Sequence, residues 1–296
     1  MTRRIVIFLK AIRALESLLM TGFPLIGFVI ALQPGAFSSF RDLLSTVLLF
    51  CFSTFFLVIY VYAFNSWGGI DADRLNVRLD DHPVLTGDIT EKQLRIIAYV
   101  GIAANLLLYY AFFRRCFFLA PFIAINWTIY SHPKIMAKAR PIAGTSVHFS
   151  GGVLQLLLGY VAVASFDARG ILAAIYFALV FAAGHLNHEV KDHDADLEAG
   201  LKTNAVFFGP KRVLSLAFFV FTVAFVYLFI ITAAGYMGWH ESWPFLAIYP
   251  VHLVLHRRMM SSLGEQVYEI GYQKTYRLLF FGAGAILVIT KLIETF

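Results

Sequence analysis

Charge is scarce in this sequence. Only 14% of its 296 residues are Asp, Glu, Lys or Arg, while 59% are hydrophobic. An average soluble domain has about 25% charged residues, so this chain has too little charge to present a water-facing surface all round. The mean hydropathy of +0.74 points the same way. Cysteine is nearly absent too. Cys51 and Cys116 lie far apart, within or beside apolar segments, which excludes a disulfide framework and a thiolate metal site. No small-residue cleavage pattern follows the first apolar run, so the basic start is expected to lead into a retained span rather than a signal peptide. No span carries a small-residue stripe that would fix an oligomeric state.

What the chain has in abundance is apolar length. Segments long enough to cross roughly 30 Å of hydrocarbon lie near 17–33, 42–64, 92–112, 115–130, 142–165, 169–186, 212–235, 243–256 and 275–291. The fourth and eighth are short, which gives nine spans with eight as the fallback. Lipid offers backbone N–H and C=O groups no partner, so such segments must be helices. The expected fold is therefore all-α, a polytopic membrane helix bundle of about nine transmembrane helices. It forms a single integral-membrane domain over 1–296.

Orientation follows from the cations. With the N-terminus in the cytoplasm, only Arg41, Arg114, Arg115, Arg169 and Lys291 of the 24 Lys and Arg fall outside, a clear positive-inside bias. The net charge of +6 then belongs to topology and lipid contact, and gives no reason to expect nucleic acid binding.

The acids are more informative, because they cluster. Asp71, Asp73, Asp80, Asp81, Asp88 and Glu91 follow the second span, and Glu189, Asp192, Asp194, Asp196 and Glu198 follow the sixth. Both clusters lie on the expected cytoplasmic side. "FNSWGGIDADRLN" and "LNHEVKDHDADLEAG" each run from an Asn at the end of an apolar helix to an Asp-Ala-Asp. Residues four apart share a helix face, which groups Asn65, Gly69 and Asp73, and likewise Asp192, Asp196 and Gly200. Two such faces turned toward one another would form an oxygen-lined pocket. Hard oxygen ligands suit Mg2+, which commonly bridges carboxylates to substrate phosphates; ion coupling in a transporter would use the same ligands. Neighbouring cations favour phosphate. "YSHPKIMAKARP" carries Lys134, Lys138 and Arg140 between the fourth and fifth spans, and Lys191 and Lys202 flank the second acidic run. A diphosphate held by Mg2+ needs such partners, whereas a cation pathway gains nothing from them.

These residues resemble a known family. "NHEVKDHDADLEAGLKT" is similar to the second aspartate-rich motif of the UbiA superfamily of intramembrane prenyltransferases, a DxxxD followed by Gly, a basic residue and Thr: Asp192, Asp196, Gly200, Lys202 and Thr203. "YSHPKIMAKARP" resembles the family's Tyr-Ser-x-Pro segment, and "HPVLTGDIT" its continuation after the first motif. The first motif departs from the family's NDxxDxxxD: Ser66 and Gly69 stand where two acids are usual, leaving Asn65, Asp73 and the neighbouring Asp71.

The resemblance implies a Mg2+-dependent transfer of a prenyl group from an isoprenyl diphosphate, through an allylic carbocation, to a small aromatic or quinone-precursor acceptor. It implies metal ligands Asn65, Asp71, Asp73, Asp192 and Asp196, of which Asp73, Asp192 and Asp196 are the catalytic core. Lys138, Arg140, Lys202 and Tyr130 would hold the diphosphate. The active site would open to the cytoplasm from the plasma (inner) membrane. An intramembrane terpene cyclase, which captures the cation within its own chain, is the alternative within the superfamily, and an ion-coupled transporter is the alternative outside it. An unperturbed histidine titrates near neutrality, which makes His148 and His188 candidates for an acceptor base, but neither is assigned from sequence.

Overall fold

A computed structural model describes residues 2–74, 82–263 and 266–296, with the side chains of 2–4, 19, 71–73 and 266–270 outside that description. The described residues form helices and contain no strand. In order these are α1 (Thr2–Ala11), α2 (Ala14–Ile30), α3 (Phe40–Asp73), α4 (Glu91–Phe112), α5 (Arg114–Ser131) and α6 (Ala143–Val163). They continue with α7 (Ala168–Glu198), α8 (Asn204–Phe208), α9 (Pro210–Ala233), α10 (Trp239–Leu246), α11 (Ile248–Ser261) and α12 (Gln266–Thr295), and a 3-10 turn covers Ala137–Ala139. Local chemistry sets several boundaries. Thr90 and Gln93 form a reciprocal capping box at the start of α4, and the Asp167 carboxylate accepts from Gly170 N–H at the start of α7.

Six helices among the described residues are long and apolar enough to cross a membrane: Phe40–Ile70, Glu91–Phe112, Ala143–Val163, Ala168–Glu198, Pro210–Ala233 and Gly271–Thr295. The remaining expected spans look different. α2 has 17 residues and contains Pro24, α5 has 18 and begins with Arg114 and Arg115, and the segment 243–256 is divided between α10 and α11 at Ala247. The outer surface is apolar. Leu107, Phe118, Phe281 and Ile293 are each between 71% and 76% exposed, a surface that suits lipid and would associate in water. The protein is an integral, multi-pass membrane protein.

Helices α2 and α6 sit between two packed halves. Val29, Ile30, Leu156 and Tyr160 face a cluster shared with α7, α9 and α10–α12, while Phe28, Leu32, Leu158 and Val161 face one shared with α3, α4 and α5. The central pair can approach closely because Gly159 lies against Pro24 of α2, where a Cβ would be 1.7 Å from the Pro24 carbonyl oxygen. Buried polar side chains add interhelical bonds within the first half. Asn105 Nδ2 donates to Ser53 O at 2.8 Å, Thr54 Oγ1 pairs with Tyr109 OH at 2.7 Å, and Tyr60 OH pairs with Thr128 Oγ1 at 2.6 Å. In hydrocarbon such bonds and small-residue contacts hold helices together, since apolar burial alone does not distinguish protein from lipid.

Candidate functional site

The two acidic stretches begin on helices rather than in loops. α3 stays helical to Asp73 and α7 to Glu198. The α7 extension ends where Gly200 turns into the left-handed region at φ +69°. There Leu201 N–H bonds back to Asp196 O at 2.9 Å and Gly200 N–H to Leu197 O at 3.1 Å, a Schellman-type stop. Glu189, Asp192, Asp194, Asp196 and Glu198 thus occupy the last turns of α7, with no basic residue in its final turn. Carboxylates at the negative end of a helix dipole are destabilised unless cations meet them. Asp192 meets one, Lys191, whose Nζ lies 3.1 Å from Oδ1, and His188 Nδ1 lies 2.7 Å from Oδ2. Asp196 is half-buried one turn further on, whereas Asp194 points outward at 86% exposure beside His193.

Asn65 joins α3 to the central loop. Its Oδ1 accepts from Ser131 Oγ at 2.9 Å and from Lys138 Nζ at 3.3 Å. The joint is tight because Gly68, one turn later on α3, lies over the end of α5: a Cβ there would sit 2.0 Å from Ser131 O. α5 itself stops at Ser131 because Pro133 forces His132 into an extended conformation, φ −62° and ψ 128°. The loop then turns through two non-glycine residues of positive φ, Met136 at +47° and Ile142 at +66°. Such backbone persists only where its surroundings fix it, and here a buried node does so. Ile142 N–H donates to Asn204 Oδ1 at 2.7 Å, and Asn204 Nδ2 donates to Thr145 Oγ1 at 3.0 Å and Glu189 Oε1 at 3.2 Å. Asn204 N–H donates to Glu189 Oε2 at 3.0 Å. Glu189, which sequence reading counts only as one more acid of the cluster, is therefore a buried structural acceptor. Its partner lies 15 residues away, beyond any helical spacing rule.

The residues expected at the site are placed as follows. Asn65, Lys138 and Ser131 are bonded together. Asp192 and Asp196 share one face of α7, and Tyr130 is half-buried at the end of α5 with its ring packed on His148 and His185. Arg140 and Lys202 are exposed, and their side chains carry no hydrogen bond or ion pair to a described residue. The side chains of Asp71 and Asp73 lie outside the described residues. Among those described, the α7 acids do not by themselves bring three candidate ligand atoms within 4.8 Å; the trio that does, His240, Glu241 and Glu294, is met by Arg169 and Lys291, which already neutralise it. The donors at Asp192, Asp196 and Asn65 are all oxygens, the set that a hard divalent cation takes.

Comparison with known proteins gives a consistent picture. The sequence profile of the UbiA prenyltransferase family matches residues 21–265. No curated protein sequence matches significantly. Among solved structures, a UbiA homolog from Archaeoglobus fulgidus bound to DMAPP and Mg2+ is 19% identical with a TM-score of 0.72, over 95% of this chain and 98% of that one. A structure of digeranylgeranylglyceryl phosphate synthase is 16% identical with a TM-score of 0.73, over 98% and 99% of the two chains. An apo UbiA homolog from Aeropyrum pernix K1 is 18% identical with a TM-score of 0.73, over 93% and 98%.

Proposed function

The chain belongs to the UbiA prenyltransferase family, and from that premise we propose that it transfers a prenyl group from an isoprenyl diphosphate to a small aromatic or quinone-precursor acceptor. The observation that carries this reading is the meeting of opposite chemistries at one end of the bundle. Carboxylates load the end of α7, while Lys138 is anchored to Asn65 on α3. A site for a bare cation has no use for that lysine; a diphosphate bound with a cation needs both.

Asp192 and Asp196 would hold Mg2+ from α7, with Asn65, Asp71 and Asp73 contributing from α3. When bound, the metal supplies Lewis-acid neutralisation of the diphosphate as negative charge develops on it. The A. fulgidus homolog bound to DMAPP and Mg2+ supports this pairing. Lys138 is positioned by Asn65 so that its ammonium reaches the diphosphate without reordering, and Arg140 and Lys202 offer further donors from exposed positions. Tyr130 places its hydroxyl near the departing phosphate. As the allylic C–O bond breaks, the surrounding rings shelter the cation and exclude water that would quench it.

The site opens to the cytoplasm from the plasma (inner) membrane, and the chain crosses nine times with its N-terminus inside. A single cysteine at Lys202 in a background without Cys51 and Cys116 should react with an impermeant maleimide only from the cytoplasmic side; labelling from outside would reverse the topology. The chemistry is tested by incubating native membranes with labelled geranyl and geranylgeranyl diphosphate, with and without Mg2+. A prenylated acceptor is expected, and only with the metal. A hydrocarbon formed without any acceptor would instead establish cyclisation.

A further inference from the structure

Transfer of a prenyl group leaves one proton to be removed. Whether the acceptor attacks through oxygen or carbon, the C1–O bond breaks to leave the allylic cation and the new bond then forms at C1. Diphosphate departs with the electron pair, and the acceptor must then lose a proton to a base. The diphosphate-holding residues are donors or metal ligands and are poorly suited to that task. The base must lie beside C1, just on the apolar side of the diphosphate.

His148 and His185 lie at that level. Their rings stack face to face, 3.6 Å between centroids and 8° from parallel. Tyr130 and Phe181 pack against His148 with centroids 4.9 and 5.2 Å away, and Trp127 meets it edge-on at 5.2 Å. The depth is fixed by Gly144. A Cβ on this glycine would stand 3.3 Å from His185 Nε2 and 3.5 Å from Lys138 Cα, so the imidazole pair lies directly beneath the turn that carries the diphosphate lysine.

Hydrogen bonding fixes the tautomer. His148 Nδ1 lies 3.0 Å from the Gly144 carbonyl oxygen. A carbonyl only accepts, so Nδ1 carries the hydrogen and the neutral ring presents its lone pair at Nε2. Nε2 has no hydrogen-bond partner among the described residues, and it is absent from their sealed, unpaired polar atoms. It is therefore not wholly sealed by the rings around it. His185 is placed differently: its Nε2 is buried, 3.1 Å from Glu189 Oε1 but off the hydrogen-bond angle. Glu189 is held in turn by Asn204.

We infer that His148 is the catalytic base of the transfer, taking the acceptor's proton on Nε2, and that His185 and Glu189 are positioning residues that hold its ring. The acceptor class follows: a planar molecule that stacks among these rings and presents a hydroxyl, or an activated ring carbon, to Nε2. The titratable and charged groups facing His148 are Tyr130 from α5, His185, Glu189 and His188 from α7, and Lys138 above.

This inference rests on the prenyl-transfer reading, and the two can fail separately. Membranes from cells that express wild type or His148→Phe, with no other copy, are given tritiated geranyl and geranylgeranyl diphosphate with Mg2+. Binding of geranylgeranyl thiodiphosphate is measured on the same preparations. Phenylalanine keeps the stack and removes the lone pair. Expected are unchanged Mg2+-dependent donor binding, a fall of about 100-fold or more in labelled product, and recovery when imidazole is added to His148→Ala. Wild-type product with full transfer by His148→Phe, or by His148→Gln should the phenylalanine variant not bind the donor, overturns the assignment of His148. No product and no donor binding in wild type overturns prenyl transfer itself.

Discussion

Individual carboxylates carry different burdens in this protein. Asp192 meets His188 and Lys191, while Asp196 is half-buried on the same face one turn nearer the helix end. A metal-held diphosphate requires charge from both, so Asp192→Ala and Asp196→Ala should each lower turnover by about 100-fold or more in the labelled-donor assay. Asp194→Ala, which removes an exposed side chain, should leave the rate unchanged. At the opposite end of the bundle Glu241 is 1% exposed and accepts from Arg169 at 2.6 Å and from Gly238 N–H at 2.9 Å, with Lys291 Nζ 3.2 Å away. Burial pushes its carboxyl up, but Arg169, the Gly238 N–H and Lys291 together outweigh burial and hold it below the ordinary value of 4.5. A carboxyl lowered by folding stabilises the protein above its unfolded value and loses that contribution as pH falls through the folded one. Thermal unfolding in detergent should therefore show constant stability from Glu241 near pH 7 and a loss beginning below about pH 4.5. Glu241→Gln should lower stability at pH 7 by about 3 kcal/mol, because it leaves the buried Lys291 and the half-buried Arg169 short of charge, and should shrink the acid-dependent part.

Helices set the distances between those residues, and here close backbone contact decides. α3 meets the end of α5 at Gly68, where a methyl group would lie 2.0 Å from Ser131 O. Gly68→Ala must push α3 away from the loop and stretch the Asn65–Ser131–Lys138 bonds. The expected result is a loss of about 1–3 kcal/mol in stability, with weakened thiodiphosphate binding by calorimetry; Gly22→Ala, in open space on α2, is the control and should change neither. Element type was legible in the sequence, because uninterrupted apolar runs in lipid permit only helices. So was the shared face of Asp192 and Asp196, a consequence of the 3.6-residue turn. Three features were not. The division of α10 from α11 at Ala247 follows no composition change, the node of Glu189 and Asn204 joins residues whose spacing carries no periodic signal, and the His148–His185 stack depends on how α6 and α7 cross. Each is a relation between elements, which periodicity within one element does not encode.

At the scale of the whole molecule, the candidate ligands come from both halves of the bundle. Asn65 and Lys138 belong to α3 and the loop after α5, whereas Asp192 and Asp196 belong to α7, which packs with α9 and α12. The halves share α2 and α6, but no hydrogen bond between described residues joins Asn65 to Asp192 or Asp196 directly. A diphosphate with its metal would therefore add a link between α3 and α7 to the one that Asn204 already makes between the loop after α5 and Glu189 of α7, and its binding should stabilise the fold as a unit. One site filled at 100 times its dissociation constant adds about 2.7 kcal/mol. Geranylgeranyl thiodiphosphate plus Mg2+ should raise the unfolding temperature of the solubilised protein by several degrees, and either component alone by much less. Chelation with EDTA should reverse the shift. Asp192→Ala and Asp196→Ala should lose it while keeping the wild-type unfolding temperature without ligand, since carboxylates at a helix C-terminus contribute little to the empty fold. An equal shift in these variants would show that the diphosphate is held from the α3 side alone, and would remove α7 from the metal site.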